Sequence, residues 1–128
     1  LQCPARFTPT PEHIHNLEHF LKHARRPPSL VLAWEPRGGW PRDVVAQICR
    51  SYGLVHAADP FQGLPATERL AYFRLHGRTG YKYHYTEEDL EQLRSWCQMF
   101  EVAYCMFNNV SMWDDALRFR SLWAGGEP

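Results

Sequence analysis

Residues 71–85 read Ala-Tyr-Phe-Arg-Leu-His-Gly-Arg-Thr-Gly-Tyr-Lys-Tyr-His-Tyr, and this stretch decides the fold. Its first residues predict a strand, because aromatic and aliphatic side chains favour strands and here they alternate with polar ones. The apolar side chains fall on one face, and the opposite face presents Tyr72, Arg74 and His76. Burying such polar groups is costly unless they have partners, so we expect a polar site near the end of this strand.

The loop that follows the strand alternates aromatic rings with positive charges. It turns at Gly77 and then contains Arg78, Tyr81, Lys82, Tyr83 and Tyr85. Rings and cations in this arrangement suit an anionic or ring-bearing ligand. A solvated basic loop on an ordinary strand is the alternative. We favour the ligand site, since polar side chains at the end of a strand are rarely there for stability alone.

The composition is that of a globular protein without a global charge. The 128 residues include 14 basic and 14 acidic ones, and this balance argues against recruitment to nucleic acid or to a membrane. The length fits one domain over residues 1–128. With no apolar run of roughly 20 residues and no signal peptide, we expect a soluble cytoplasmic protein. The four cysteines occur singly in apolar patterns, which predicts reduced thiols and no zinc site.

Three further strands and four helices are predicted in addition to the strand that begins at Ala71. Apolar runs predict strands over residues 30–35, 54–59 and 101–107. Helices are predicted from Pro11 to about Arg25, from Pro41 to Tyr52 before a Gly53 cap, from Thr86, and from Ser111 with Asp114. His15, His19 and His23 have a spacing that suits a metal, but we expect their helix face to be solvated and predict no metal site.

Polar residues follow the carboxyl ends of the predicted strands. The order of the elements predicts an α/β protein built from parallel β/α units with right-handed crossovers. Because the carboxyl ends of parallel strands share one edge, polar side chains are expected to gather there: Gln2, Glu35, Asp59, Arg74, His76, Asn108 and Asn109. Four strands plus a short amino-terminal stub form either a small open sheet or half of an eight-stranded barrel, and periodicity does not choose between them.

Several motifs together resemble the carboxyl-terminal half of the YecE-like family, also called domain of unknown function 72. The most specific are Arg-Leu-His-Gly at 74–77 and Phe-Asn-Asn at 107–109; others are Gln-Cys-Pro at 2–4, Trp-Glu-Pro-Arg at 34–37, Asp-Pro-Phe at 59–61 and Tyr-Lys-Tyr at 81–83. The resemblance implies a barrel of the triosephosphate isomerase (TIM) type, from the end of its fourth strand through its eighth helix, so that the sequence is a fragment without the amino-terminal half. The chain departs from the pattern of the family that it resembles at one position. Many members have a His after the Arg that matches Arg37, whereas this chain has Gly38 there.

The resemblance brings no established reaction, so the predicted function rests on the side chains. Glu35 and His76 are predicted to act as acid and base, with Arg74 orienting a small anionic substrate, phosphorylated or sugar-like. The predicted ligand-binding residues are Asp59, Arg78, Tyr81, Lys82, Tyr83, Asn108 and Asn109, the last two beside a helix start that can bind an anion. The sequence identifies no cofactor.

Other interpretations of the same residues stay open. Glu35 and Arg74 can form a purely structural ion pair, and the two asparagines can simply cap the last helix. A non-catalytic binding module is the second functional hypothesis, in which the loop from Tyr81 to Tyr85 stacks on nucleobases or on the rings of a protein partner. Neutral net charge counts against nucleic acid. The open edges of a half-barrel also predict self-association, or pairing with a separate amino-terminal half.

Overall fold

The computed structural model describes residues 1–125. This part of the chain divides into two compact units, one over residues 1–57 and one beginning at Ala58. The single domain over residues 1–128 therefore stays a prediction. Helices and strands follow in the order α1 Pro11–His23, β1 Leu32–Trp34, α2 Arg42–Tyr52, β2 Leu54–Ala58, β3 Leu70–Leu75, α3 Glu87–Cys97, β4 Val102–Phe107 and α4 Met112–Ala124.

The first unit is built on a parallel pair of strands. β1 pairs with β2 in a register that sets Trp34 beside His56. The predicted amino-terminal stub is present as an isolated bridge between Gln2 and Glu35. Gly53 closes α2 in the left-handed conformation, with φ of 62°, because a residue without a Cβ adopts it at no steric cost. The strands and helices of this unit thus follow the predicted β/α order.

The predicted strand over residues 30–35 is too long at its start. Leu30 and Val31 are 53% and 59% exposed, and β1 begins only at Leu32. The Leu30 N–H donates to the Pro27 carbonyl over 3.0 Å, which closes a turn. Since a residue that closes a turn cannot also extend the strand ladder, the apolar run enters the sheet two residues late. Pro41 likewise precedes α2 as its N-cap and is not its first residue.

Gly38 lies against the backbone of the segment that precedes α1. A Cβ atom placed on Gly38 would lie 2.3 Å from the Phe7 carbonyl oxygen and 2.9 Å from the Ala5 oxygen. The same Phe7 oxygen accepts a hydrogen bond from Trp40 Nε1 over 2.7 Å. No side chain therefore fits at position 38 with the backbone in this place, which accounts for the glycine.

The second unit contains the stretch over residues 71–85. β3 pairs in parallel with β4 over six positions, from Leu70 beside Val102 to Leu75 beside Phe107. The predicted alternation is confirmed: Ala71, Phe73 and Leu75 are fully buried, and the core also includes residues of α3 and α4. The opposite face holds Tyr72 and Arg74 on β3 with their register partners on β4, and the rings of Tyr72 and Tyr104 lie 6.2 Å apart.

The two helices of this unit begin differently. Thr86 caps α3, as predicted, and forms a capping box with Asp89. At α4 the predicted start is confirmed, because Ser111 is the N-cap, but Ser111 has φ of −102° and ψ of 30° and makes no capping hydrogen bond, so it forms no capping box with Asp114. Its hydroxyl donates instead to Asp115 over 2.7 Å. Within residues 1–125, none of the helices has the length and apolar character needed to cross a membrane.

Candidate functional site

Three polar residues meet just beyond the ends of the strands, and we call Asp59, His76 and Asn108 the rim cluster. Asp59 Oδ2 accepts a hydrogen bond from the His76 backbone N–H over 3.2 Å. Asn108 places its side-chain nitrogen 3.3 Å from His76 Nδ1, and its backbone N–H donates to the Leu75 carbonyl over 2.9 Å. The backbone and the ring of His76 are thus each fixed by a different neighbour.

The contact with Asn108 also orients the His76 ring. The Asn108 amide lies within hydrogen-bond distance of Nδ1, and the donor in this contact depends on the tautomer of the ring. Asp59 is engaged on its other oxygen too, because Oδ1 accepts from the Phe61 N–H over 3.0 Å. His76 and Asp59 are half-buried, whereas Asn108 is exposed. The imidazole is therefore oriented and at the surface, as a general acid or base requires.

The other two predicted catalytic residues lie in different units. Arg74 is half-buried on the β3 face that points away from the core, directly beside Met106 in the register. Glu35 is buried in the first unit, where its backbone N–H donates to the Leu1 carbonyl over 2.8 Å and its carbonyl accepts from the Cys3 N–H over 3.2 Å. The pairing of Glu35 with Arg74, and the acid or base role of Glu35, stay predictions.

The loop after β3 is held to α3 through the carboxylate of Asp89, which is 4% exposed. Arg78 Nη1 donates to Asp89 Oδ1 over 2.7 Å, while the Tyr83 hydroxyl and the Thr86 N–H donate to Oδ2. Burial alone would raise the pKa of Asp89, but these hydrogen bonds outweigh it and lower the pKa below its usual value. A buried charge with a full set of donors stabilises the loop conformation.

Of the predicted ring-and-cation surface, only part faces outward. Arg78, Tyr81 and Lys82 are exposed and Tyr83 is half-buried. Tyr85 was expected on the surface, yet it is 1% exposed and its hydroxyl accepts from the Gly77 N–H over 2.8 Å. Burial raises the pKa of Tyr85. The ring belongs to the core, so Tyr81 and in part Tyr83 are the rings that this loop presents at the surface, and the binding-module hypothesis stays a prediction.

Arg78 also borders a cleft at the outer side of this loop. Its guanidinium lies 5.3 Å from the centre of the Phe61 ring, a distance at which a cation interacts with a ring face. The cleft has a volume of about 460 Å³, and its walls include Pro60, Phe61, Arg78, Asp89 and Trp96. Arg78 and Lys82 are thus both exposed on this loop, and Arg78 is paired with the carboxylate of Asp89.

Asn109 takes part in a second buried arrangement, centred on the carboxylate of Asp115, which is 2% exposed. Asn109 Nδ2 donates to Asp115 Oδ2 over 2.8 Å and to the Tyr83 carbonyl over 2.7 Å. Further donors to Asp115 are the Ser111 hydroxyl, the Tyr85 N–H and Arg118. Burial would raise the pKa of Asp115, but these donors lower it. A carboxylate at this helix start opposes an anion there, so anion binding by Asn109 stays a prediction.

We call Asp89 and Asp115, with the groups that donate to them, the loop network. Neither carboxylate was predicted to take part in a network. A signal was present in the sequence, because Asp89 stands three residues after Thr86 and Asp115 stands four residues after Ser111. Spacings of three and four residues bring side chains together at the start of a helix. The proximity of Cys97 and Cys105, whose sulfur atoms lie 3.4 Å apart, was not predicted either.

Helices that alternate with strands paired in parallel define a protein of the parallel α/β class. Its polar strand ends are typical of that class. The chain belongs to the DUF72 family, a family of proteins of unknown function, whose sequence profile matches residues 1–124. The resemblance based on the Arg-Leu-His-Gly and Phe-Asn-Asn motifs is therefore confirmed.

The fold is similar to that of a crystal structure from the same family. A DUF72 family protein from Thermotoga maritima MSB8 superimposes with a TM-score of 0.75 at 24% sequence identity. The match covers 96% of this chain and 56% of the Thermotoga protein, so the chain spans little more than half of that relative. At this identity the likeness establishes the fold alone. No curated protein matches the sequence.

Proposed function

We propose that this chain forms the carboxyl-terminal half of a TIM-type (β/α)8 barrel and supplies catalytic groups for a small anionic substrate, phosphorylated or sugar-like. The half would run from the end of the fourth strand through the eighth helix. The order of parallel β/α units supports the proposal, as does the coverage of only 56% of the Thermotoga protein. Barrels of this type place their active sites at the carboxyl ends of the strands, where the rim cluster lies.

The face of β3 and β4 that points away from the core also supports the half-barrel. It holds Tyr72, Arg74, Tyr104 and Met106, and Tyr104 is 48% exposed. In a closed barrel this face would point inward and would be covered by the side chains of the remaining strands. A large aromatic ring left half-exposed on a sheet face is consistent with such a missing cover.

The observation that carries the enzymatic proposal is the fixed imidazole of His76 in the rim cluster. Its backbone is held by Asp59 and its ring by Asn108, so it can transfer a proton at a defined place. Such a group contributes to catalysis when it is within hydrogen-bond reach of the reacting atom. Arg74 and Lys82 would bind the negative charge of the substrate. We include Glu35 as a second acid or base, and this part of the proposal rests on the sequence alone.

Light scattering tests the half-barrel. The purified chain is measured alone and after co-expression with the part of a DUF72 protein that it does not cover. We expect either a dimer alone or a one-to-one complex with the added part, because each would cover the open strand edges. A monomer that ignores the added part would contradict the half-barrel.

Ligand binding and turnover test the rim cluster. Amide resonances are followed by NMR during addition of inorganic phosphate and of a panel of sugar phosphates, and new products are detected in the same samples. We expect shifts at His76 and Asn108, and loss of turnover in His76→Gln. His84→Gln is the matched control, since His84 is exposed in the same unit. Equal turnover in the two variants would contradict the role of His76.

A further inference from the structure

Two cysteines of the second unit, Cys97 and Cys105, are eight residues apart in the sequence and lie close together. Cys97 is the last residue of α3, and Cys105 lies in the middle of β4. Their sulfur atoms are 3.4 Å apart, which is within hydrogen-bond reach for sulfur. A disulfide requires the sulfurs at about 2.0 Å, so an approach of about 1.4 Å separates the two thiols from a covalent link.

A cleft gives small molecules access to this pair. The cleft has a volume of about 570 Å³ and is lined by both cysteines together with Glu101, Arg120 and Trp123 among others. It lies between the end of α3, the face of β4 that packs toward the core, and the last turns of α4. Arg120 places a positive charge beside the thiols, which suits a small thiol compound that has carboxylate groups.

The surroundings of Cys97 and Cys105 differ from those of Cys49. Cys49 is buried within α2, and burial raises the pKa of its thiol to about 11. By contrast, the hydrogen bond from Cys105 lowers the pKa of Cys97, against the opposing effect of burial. The same hydrogen bond and burial raise the pKa of Cys105. Because the thiolate is the reactive form of cysteine, Cys97 is the more reactive member of the pair.

We propose that Cys97 and Cys105 form a redox-active dithiol that is converted reversibly to an intramolecular disulfide by small-molecule disulfides such as oxidised glutathione. The Cys97 thiolate attacks one sulfur of the oxidant, which forms a mixed disulfide and releases one small thiolate. The Cys105 sulfur then attacks Cys97, displaces the second small thiolate and gives up its proton. In total the two protein thiols lose two electrons and two protons, which the oxidant takes up as two small thiol molecules.

The position of Cys97 at a helix end makes the required movement feasible. The residues after Cys97 form a turn in which the Phe100 N–H donates to the Cys97 carbonyl over 3.2 Å. A shift there alters one helix terminus and leaves the ladder between β3 and β4 in place. Reversibility is expected, since thiol–disulfide exchange runs in either direction according to the ratio of oxidised to reduced small thiol.

Mass spectrometry tests the proposal on the whole chain. Trypsin releases one peptide over residues 95–118 that contains both cysteines and no other. After equilibration with oxidised glutathione and alkylation, we expect this peptide to lack both alkyl groups and to be lighter by two hydrogens than the reduced peptide. Further cleavage after Glu101 should give two fragments joined by the disulfide. Two alkylated cysteines in the peptide, or a disulfide to Cys3 or Cys49, would overturn the proposal.

Single substitutions test the order of the two steps. Cys105→Ser should accumulate a mixed disulfide with glutathione on Cys97, because the second sulfur is missing. In Cys97→Ser, Cys105 should react with oxidised glutathione at least about tenfold more slowly than Cys97 reacts in Cys105→Ser. The double variant Cys3→Ser with Cys49→Ser keeps the pair and should behave like the parent chain. Faster reaction in Cys97→Ser than in Cys105→Ser would overturn the assignment of Cys97 as the attacking group.

Discussion

The rim cluster and the loop network lie in the same unit, yet they treat polar groups in opposite ways. In the loop network the carboxylates of Asp89 and Asp115 are buried and are surrounded by donors. In the rim cluster Asn108 is exposed and His76 is half-buried. Buried charges with a full set of donors stabilise one conformation, whereas polar groups at the surface can still bind a ligand. We therefore expect substitutions in the network to affect stability and substitutions in the rim cluster to affect binding.

The largest expected effect is that of Asp115→Ala. The substitution removes the acceptor of Asn109, Ser111 and Arg118 and leaves buried donors unpaired. We expect a loss of about 4 kcal/mol in the free energy of unfolding, measured with urea. Asp114→Ala is the control, because Asp114 is exposed on the same helix. A similar loss in both variants would mean that the network does not distinguish the two positions.

Substitution of Gly77 should have the next largest effect. Gly77 has φ of +91°, and a Cβ atom there would lie 2.0 Å from the Gly80 carbonyl oxygen. We expect Gly77→Ala to lower the free energy of unfolding by about 3 kcal/mol, from backbone strain and overlap together. Gly80 has φ of +124°, but no atom lies within 4 Å of a Cβ placed there. Gly80→Ala should therefore lower the free energy of unfolding by less than Gly77→Ala does. Equal losses of unfolding free energy in the two variants would show that the chain relieves the overlap at position 77 without a cost in stability.

The loop network should also make stability depend on acidity. The pKa of Asp115 is lower in the fold than in the unfolded chain, so the unfolded chain binds more protons in the acid range. The stabilisation is complete above the ordinary pKa of aspartate, about 3.9, and is lost as the pH falls through the folded pKa. Asp115→Asn should thus lose less free energy of unfolding than the parent chain between neutral and acid pH. A steeper loss in the variant would contradict this assignment.

The smallest effect on stability is expected in the rim cluster. Asn108 is exposed and contacts the His76 ring at 3.3 Å, so Asn108→Ala should change the free energy of unfolding by no more than about 0.5 kcal/mol. The same variant should weaken the NMR response to sugar phosphates, because the imidazole is no longer oriented. A large loss of stability with unchanged ligand response would assign Asn108 to the scaffold.

Much of the fold follows from local patterns in the sequence. The alternation along β3 predicted its buried face, and Thr86 predicted the start of α3. These features depend on side chains a few residues apart, which is the range that periodicity and capping rules describe. Leu30 and Val31 show the limit of such rules, because a turn closed by Pro27 removes them from the strand.

The arrangement within the site was less predictable than the fold. The sequence presents Tyr81, Tyr83 and Tyr85 as equivalent rings in one loop, yet only the last is in the core. Its direction is set by contacts with Phe61 and Phe107, which are distant in sequence. Likewise, the distance between Cys97 and Cys105 depends on the turn between α3 and β4. Such contacts depend on tertiary packing, which local patterns do not describe.

The close approach of Gly38 to Phe7 couples the residue at position 38 to the path of a second segment. Any side chain at position 38 needs the segment over residues 5–7 to run along a different path, since its carbonyl oxygens occupy the space of a Cβ atom. A substitution of Gly38 is therefore expected to be tolerated only when that segment is replaced together with it.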